Sequence, residues 1–415
     1  MTTTSPGQKP SGNSAEKLRQ RGSVVRTSLA WSNLSHMWVR TVVSICGIGF
    51  AILLMFMQLG FLGSVGDTAT VLLDRMPCDV LVRSPDYLHV YDASKIRNDL
   101  RPWLNSIDEV DQVVPLDIGV TQWTNPTNQD PRAIAVMGID LNDPAFELPE
   151  LTREVRRELL VEGAVLVDDA TKTDFGPKNG VKFGSDDIGT VASVFGTPAK
   201  IVGTFKMGTG LAANGALLCS RETFRKLVPG SSDDEVSLLL IRLTEGVSDE
   251  RGRHMVAGRL NALAGPASHA SALTIEDAKK AEVWRWYTQT PIGMIFAMGV
   301  ALAVVVGGVI SYMILASDVQ AHLSEYATLK AMGYGTGFLI RTLLTQSTLL
   351  ATIAFPPSVI AALVLYAITS ALAGVPIRMT LTWLVLVAVL SLLMCNAAGL
   401  IAIRKLIRAE PANLF

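Results

Sequence analysis

Four long apolar runs punctuate the chain: Val42 to Leu62, Pro291 to Leu315, Ser347 to Leu372 and Leu381 to Ile403, each without Asp, Glu, Lys or Arg. A membrane-spanning helix needs about 20 mostly apolar residues. The pattern therefore predicts four spans, and the length and purity of the runs argue against buried helices of a soluble domain. Between the first two runs the pattern changes. The stretches "CDVLVRSP", "VDQVVPLDIGVTQW", "PRAIAVMGID", "AVLVDD", "AKIVGTFKMG", "GALLCS" and "VSLLLIRL" are short and β-branched and read as strands, while "SRETFRKLVPG" and "SDERGRHMVAGRLNALAG" read as helices. The expected fold is an α-helical bundle of four transmembrane helices with a large inserted α+β domain. At "TIED" a Thr-x-x-Asp pair predicts a helix N-terminus, with the helix running through "AKKAEVWRWY" into the second span as a rigid link.

This pattern divides the chain into a polar tail (1–27), an amphipathic helix beside the membrane (28–40), spans at 41–63, 289–315, 342–372 and 380–403, the inserted domain at 64–288, a loop at 316–341, a short turn at 373–379 and a tail at 404–415. Trp31, Leu34 and Trp38 form the apolar stripe of the amphipathic helix. The first apolar run lies too far from the start, and is too long, to read as a signal peptide.

Composition agrees with a membrane protein: 49% hydrophobic, 18% charged, mean hydropathy +0.35. The net charge of −1 offers nothing to nucleic acid, but its distribution is informative. Lys9, Lys17, Arg19, Arg21, Arg26 and Arg40 precede the first span against Glu16, and Arg404, Lys405 and Arg408 follow the fourth against Glu410, whereas the last turn has Arg378 alone. Positive residues stay inside, so both termini are expected in the cytoplasm and the inserted domain outside. Trp284, Trp286 and Tyr287 then fall at the outer interface of the second span.

Candidate chemistry is sparse. The histidines of the inserted domain are isolated, no nucleophile elbow or metal spacing is present, and "GPKNGVKFG" lacks the Gly-Lys-Ser/Thr ending of a phosphate loop. No cofactor is expected on this chain. Cys78 and Cys219 lie in the inserted domain and are a candidate disulfide pair if it faces an oxidising compartment. Within the spans, Gly299, Ala303 and Gly307 recur every fourth residue, a spacing that lets another helix approach closely. Gln58, Gln346 and Asn396 need hydrogen-bond partners in lipid and read as ties between helices, while Pro356 and Pro357 are expected to kink or break the third span.

The loop between the second and third spans, "SDVQAHLSEYATLKAMG", is rich in helix formers and ends in a glycine suited to stop a helix. It reads as a short cytoplasmic helix, either a plain connector or a handle for a partner. Here the chain resembles a known family. "ISYMILASDVQAHLSEYATLKAMGYG" (Ile310–Gly335), "GIGFAILLMFMQLGF" (Gly47–Phe61), "IVGTFKMGTGLAANGALLCSRETF" (Ile201–Phe224) and "RAEPANLF" (Arg408–Phe415) are similar to the FtsX/MacB-like superfamily of ABC transporter permeases. The Glu-Tyr-Ala-Thr-Leu-Lys-Ala-Met-Gly-Tyr string looks DevC-like, and the resemblance runs from about Leu29 onward, leaving the N-terminal tail outside the family pattern.

The resemblance implies a MacB-like periplasmic domain and an inner-membrane homodimer among membrane lipid. It also implies a separate ATPase subunit carrying ATP and Mg, and a membrane-fusion protein with an outer-membrane channel. Glu325, Leu329, Lys330, Ala331, Met332 and Gly333 would form the coupling helix that docks on the ATPase. The implied function is an export or mechanotransmission permease. The alternatives are an FtsX-like regulator of an envelope hydrolase and a membrane-tethered periplasmic enzyme.

Overall fold

The computed structural model describes residues 38–208, 214–264, 269–321, 328, 332, 335–373 and 377–408. These fall into two compact units, Ser64–Gly293 and the remainder. The first helix, α1 (Trp38–Asp74), belongs to both. It outlasts its apolar run because Val65, Ala69, Leu72 and Leu73 continue a buried stripe at helical spacing, the last two packing into the core of the sheet-rich unit.

The sheet-rich unit begins with β1 (Val80–Arg83), β2 (Ile96–Arg97), α2 (Leu100–Leu104) and the long β3 (Val110–Thr124). Next come β4 (Pro131–Ile139), α3 (Arg153–Glu158), β5 (Ala164–Asp168), β6 (Val191–Val194), β7 (Thr197–Phe205), β8 (Ala216–Ser220) and α4 (Arg221–Leu227). It closes with β9 (Glu235–Val236), β10 (Leu238–Leu243), α5 (Glu250–Ala264), β11 (Ser271–Thr274) and α6 (Ile275–Thr288). Strands β1, β3, β10 and β11 pair antiparallel in the order β11-β1-β10-β3. Leu104 of α2 and Val256 and Leu260 of α5 cover one face of this sheet. Order and connections make it a β-α-β-β-α-β layer, with everything from β4 to β9 inserted between β3 and β10.

The insert is a second, closed core. Pairing runs β3–β4–β8–β5–β7–β6 and returns to β3 through Trp123↔Val194 and Thr124↔Ser193. β3 serves both layers because its 15 residues reach past the first sheet. The barrel interior holds Trp123, Phe175, Phe183, Val165, Leu217 and Phe224. Trp123 sends its indole N–H to the Phe175 carbonyl (3.0 Å) and meets the Phe183 ring edge-on at 6.4 Å. An α+β domain is therefore what stands between the first two spans.

In the other unit α1 packs with α7 (Pro291–Ala321), α8 (Thr336–Ala373) and α9 (Leu381–Arg408) around Ile48, Ile52, Met55, Phe56, Leu350, Ala354, Val387 and Met394. All four helices are long and apolar enough to cross a membrane, over Val42–Asp74, Pro291–Ala321, Ile340–Leu372 and Leu381–Ala402.

Two expectations need correction. Helix α6 does not run on into the second span: it is capped at its start by the Thr274 hydroxyl, which accepts from the Asp277 N–H (3.2 Å), but it ends at Thr288, and a new helix opens at Pro291. Proline suits a first helical position because it has no N–H to donate. Pro356 and Pro357, conversely, do not break α8, a helix of 38 residues with both inside it. Beside them the Ser358 hydroxyl lies within hydrogen-bond distance of the carbonyls of Ala354 (2.7 Å) and Gly49 (3.0 Å), a tie between α8 and α1.

Candidate functional site

In the membrane unit the small residues of α7 are where neighbouring helices touch. A side chain at Gly299 would collide with the Gln58 amide of α1, Ala303 is 3% exposed, and a Cβ at Gly307 would lie 2.6 Å from the Ala51 Cβ of α1 and 3.0 Å from Met394 Cε of α9. Polar side chains tie the same bundle. Gln346 donates to the Asp318 carboxylate across α8 and α7 (2.6 Å), and Asn396 of α9 accepts from Ser347 (3.0 Å) and Thr348 (3.1 Å) of α8. The Tyr366 hydroxyl donates to the Phe56 carbonyl of α1. In lipid such groups have no water to fall back on, so each tie fixes helix register. Away from the contacts, Met298, Leu302, Val305, Val309 and Met313 of α7 are exposed.

In the sheet-rich unit one buried carboxylate stands out. Glu282 of α6 is fully buried and accepts three hydrogen bonds: from the Tyr87 hydroxyl (2.7 Å), the Val90 N–H (3.1 Å) and the Trp286 indole N–H (3.2 Å). Arg285 donates to the Tyr87 carbonyl, and the Arg83 guanidinium lies 4.2 Å from the centre of the Tyr87 ring. Burial, and then the Glu282 charge, push the Tyr87 phenol well above its ordinary range, so it stays a donor. Positions 282, 285 and 286 share one helical face. That face clasps the loop after β1 onto the helix that precedes the second span. Sequence reasoning missed it: Glu282 sits among "KKAEVWRWY" like any solvated charge, and two of its three partners, Tyr87 and Val90, lie 195 and 192 positions away.

Trp286 is corrected by the same contacts. It is 7% exposed and committed to Glu282, so it is no membrane-interface anchor, whereas Trp284 is 65% exposed and keeps that role open.

Asp168, at the end of β5, is also fully buried. It accepts from the backbone N–H of Ala170 (3.1 Å), Met207 (3.3 Å) and Gly208 (2.8 Å), and burial raises its carboxyl above the ordinary range. It holds the exit of β7. A cleft of about 330 Å³ near the barrel is lined by Arg132, Lys172, Asp174 and Asn214. Among the described residues no group of three His, Cys, Asp or Glu side chains is arranged to hold a metal ion.

The disulfide expectation fails. Cys78 and Cys219 are both free: Cys78 packs against the core beneath α1, while Cys219 is buried on β8 inside the barrel. Burial pushes the Cys78 thiol up to about 12 and the Cys219 thiol higher. A thiol with a pKa of about 12 is roughly one part in ten thousand thiolate at pH 8, and only thiolate reacts. A water-soluble maleimide at pH 8 is therefore expected to modify neither residue in the native protein and both after denaturation. Peptide mass mapping reads the result, and native labelling of either would refute it.

Of the coupling positions, Glu325, Leu329, Lys330, Ala331 and Gly333 lie outside the described residues, as do the N-terminal tail, residues 409–415 of the C-terminal tail, Trp31 and Leu34. Met332 is described: it is 63% exposed and its N–H donates to the Thr328 carbonyl (2.9 Å).

Residues 293–411 match the family of FtsX-like permease C-terminal domains. The chain is also similar to the periplasmic region of MacB from Actinobacillus actinomycetemcomitans, at 10% identity over 50% of this chain and 93% of that one with a TM-score of 0.35. A second likeness is to the extracellular domain of the noncanonic ABC-type transporter YknZ from Gram-positive bacteria, at 12% identity over 47% and 98% with a TM-score of 0.33. Likenesses of this size carry no argument about function. Comparison with curated proteins finds no match. The four apolar helices mark a membrane protein, and three of them fall in the segment that is similar to FtsX-like permease C-terminal domains. The matched segment takes in α7 from Gly293 onward, α8 and α9, and leaves every strand of the sheet-rich unit outside it.

Proposed function

We propose that the chain is a DevC-like permease subunit of an ABC-type export or mechanotransmission complex, transmitting ATP hydrolysis on a separate ATPase subunit to movement of its sheet-rich unit. The observation that carries this reading is the family match over 293–411, which takes in the whole loop between α7 and α8. In that loop Leu329 and Met332 supply apolar contact, Glu325 and Lys330 supply orienting charge, and Met332 is exposed. The loop is the docking handle for the ATPase, where ATP and Mg are held. The flanking positive charges support cytoplasmic termini in an inner membrane. The exposed apolar side of α7 offers a surface to a second copy. A membrane-fusion protein and an outer-membrane channel complete the path.

The test is affinity purification of the tagged protein in mild detergent beside a Leu329→Arg, Met332→Arg variant. An ATPase with a phosphate-binding loop should accompany the parent and be lost from the variant while membrane insertion is unchanged. Retention by the variant would remove the handle from the mechanism. Absence of an ATPase from both, even after crosslinking in membranes, would end the permease reading.

A further inference from the structure

Strand β4 reaches further than its neighbour β8. It pairs with β3 from Pro131, opposite Thr124, to Ile139, whereas its parallel ladder with β8 runs only from Ala135↔Ala216 to Ile139↔Ser220. The Ala135 N–H donates to the Gly215 carbonyl (3.0 Å), so Ala135 turns its backbone groups toward β8. The period of two puts the N–H and carbonyl of Ala133 on that same side. There β8 has not yet begun, and among the described residues these two groups have no partner. Ala133 is exposed, so the start of β4 is a short open strand edge.

This edge lines the cleft of about 330 Å³ together with Arg132, Lys172, Asp174 and Asn214. The opposite wall is fixed in advance. The Asp174 carbonyl accepts from the Asn125 amide (2.8 Å), the Phe175 carbonyl accepts from the Trp123 indole (3.0 Å), and Gly176, at φ +87°, lies so close to Asn125 that no side chain fits. The Lys172 N–H donates to the Asn214 carbonyl (3.0 Å) and joins the remaining two residues. The polar ends, however, are not used up. The Arg132 guanidinium is 4.0 Å from both Asp130 and Asp174, beyond hydrogen-bond distance. Among the described residues neither it nor the Lys172 ammonium makes a side-chain hydrogen bond, whereas Arg101, Arg156 and Arg253 of the same unit are each held by a backbone carbonyl.

We propose that this cleft binds the C-terminal end of an extended polypeptide, whose backbone pairs with Ala133 and whose terminal carboxylate sits between Arg132 and Lys172. A strand added to an open edge gains main-chain hydrogen bonds whatever its sequence, and a guanidinium matches a carboxylate with two parallel N–H donors. The Asn214 amide is placed to serve the last peptide group. A chain end fits better than an internal segment, because two cations line the cleft against the single carboxylate of Asp174 and one positive charge is left uncompensated. A compact anion such as phosphate would answer the cations but leave the strand edge unused. The site belongs to the sheet-rich unit alone and stands or falls separately from the ATPase partner.

The experiment is equilibrium dialysis of the full chain in mild detergent against radiolabelled trialanine and against trialanine amide, which lacks the carboxylate. The acid should bind about tenfold more tightly than the amide, the usual worth of one charge-assisted hydrogen bond. Arg132→Gln should remove that difference, and Asp174→Asn should tighten binding of the acid because it takes away the one negative side chain of the cleft. Both side chains are exposed and make no hydrogen bond among the described residues, so these variants are expected to unfold at the parent's temperature. Ala133→Pro deletes the free N–H without touching the β3 ladder and should weaken acid and amide alike. A soluble carrier protein ending in the same three alanines should bind as the free peptide does. Equal binding of acid and amide, binding of neither, or a preference for the acid that Arg132→Gln leaves intact would each overturn the proposal. Displacement of the acid by inorganic phosphate, with Ala133→Pro without effect, would mark a plain anion site and overturn the strand pairing. Binding of the free peptide but not of the carrier would overturn the assignment to a chain end.

Discussion

Replacing Glu282 with Leu is expected to release the Ser84–Ala93 loop from α6, the largest single-residue effect in the sheet-rich unit. Leu is of similar size but accepts nothing, so the Tyr87 hydroxyl, the Val90 N–H and the Trp286 indole N–H lose their acceptor together. A buried donor left unsatisfied costs about 1–3 kcal/mol, and the three are too close to be independent. A loss of about 3 kcal/mol corresponds to roughly a hundredfold faster amide exchange. Hydrogen exchange read on residues 84–94 should show this at Val90 while the barrel strands keep their protection. Glu282→Gln separates charge from geometry. Its remaining carbonyl oxygen can serve Val90 and Trp286, and its amide can donate to the Tyr87 oxygen, so a milder loss is expected. Full protection of Val90 in the Leu variant would show that the clasp holds nothing.

In the membrane unit the largest effect belongs to Gly307. A methyl group there meets Met394, whose thioether end can swing aside, and the Ala51 Cβ at 2.6 Å, which cannot move without its helix. Gly307→Ala is therefore expected to lower stability by about 1–3 kcal/mol, the usual cost of overpacking. Gly299→Ala should cost less, because what it meets is the far end of the Gln58 side chain. Unfolding of the purified protein in mild detergent by added dodecyl sulfate gives the ranking. The decisive comparison is the exchange variant Ala51→Gly, Gly307→Ala, which moves the methyl from one helix to the other and should recover most of the loss. Met394→Ala on the Gly307→Ala background should recover little. Recovery by Met394→Ala alone would place the close approach at α9 and not at α1.

How much of this could be read in advance depended on the range of the interactions. The spans were legible because exclusion of charge over twenty residues is a local property that lipid demands of every crossing segment. Strands β1, β3, β4, β5, β7, β8 and β10 were legible by the apolar, β-branched stretches they sit in, and the Thr274 cap by its spacing. The two-residue strands β2 and β9 and the short β6 and β11 had too little pattern to register. They are strands because a neighbour offers them a ladder. The small-residue stripe on α7 could be found, but not whom it meets, since spacing reports a face and says nothing about which helix arrives there.

The sequence by itself determined the class of this protein: four crossing segments, an α+β insert between the first two, and a loop whose residues carry the family resemblance. Each of these is written in local composition and order. Only the tertiary structure decided that β3 is shared between a split β-α-β layer and a barrel closed by Trp123 and Val194. It also decided that Cys78 and Cys219 belong to different cores, that α6 stops at Thr288, and that Glu282 is a buried clasp and not a surface charge. Those outcomes depend on partners up to 195 positions apart. A carboxylate on a helix looks the same in sequence whether water or three protein donors satisfy it, and the fold alone chooses between them.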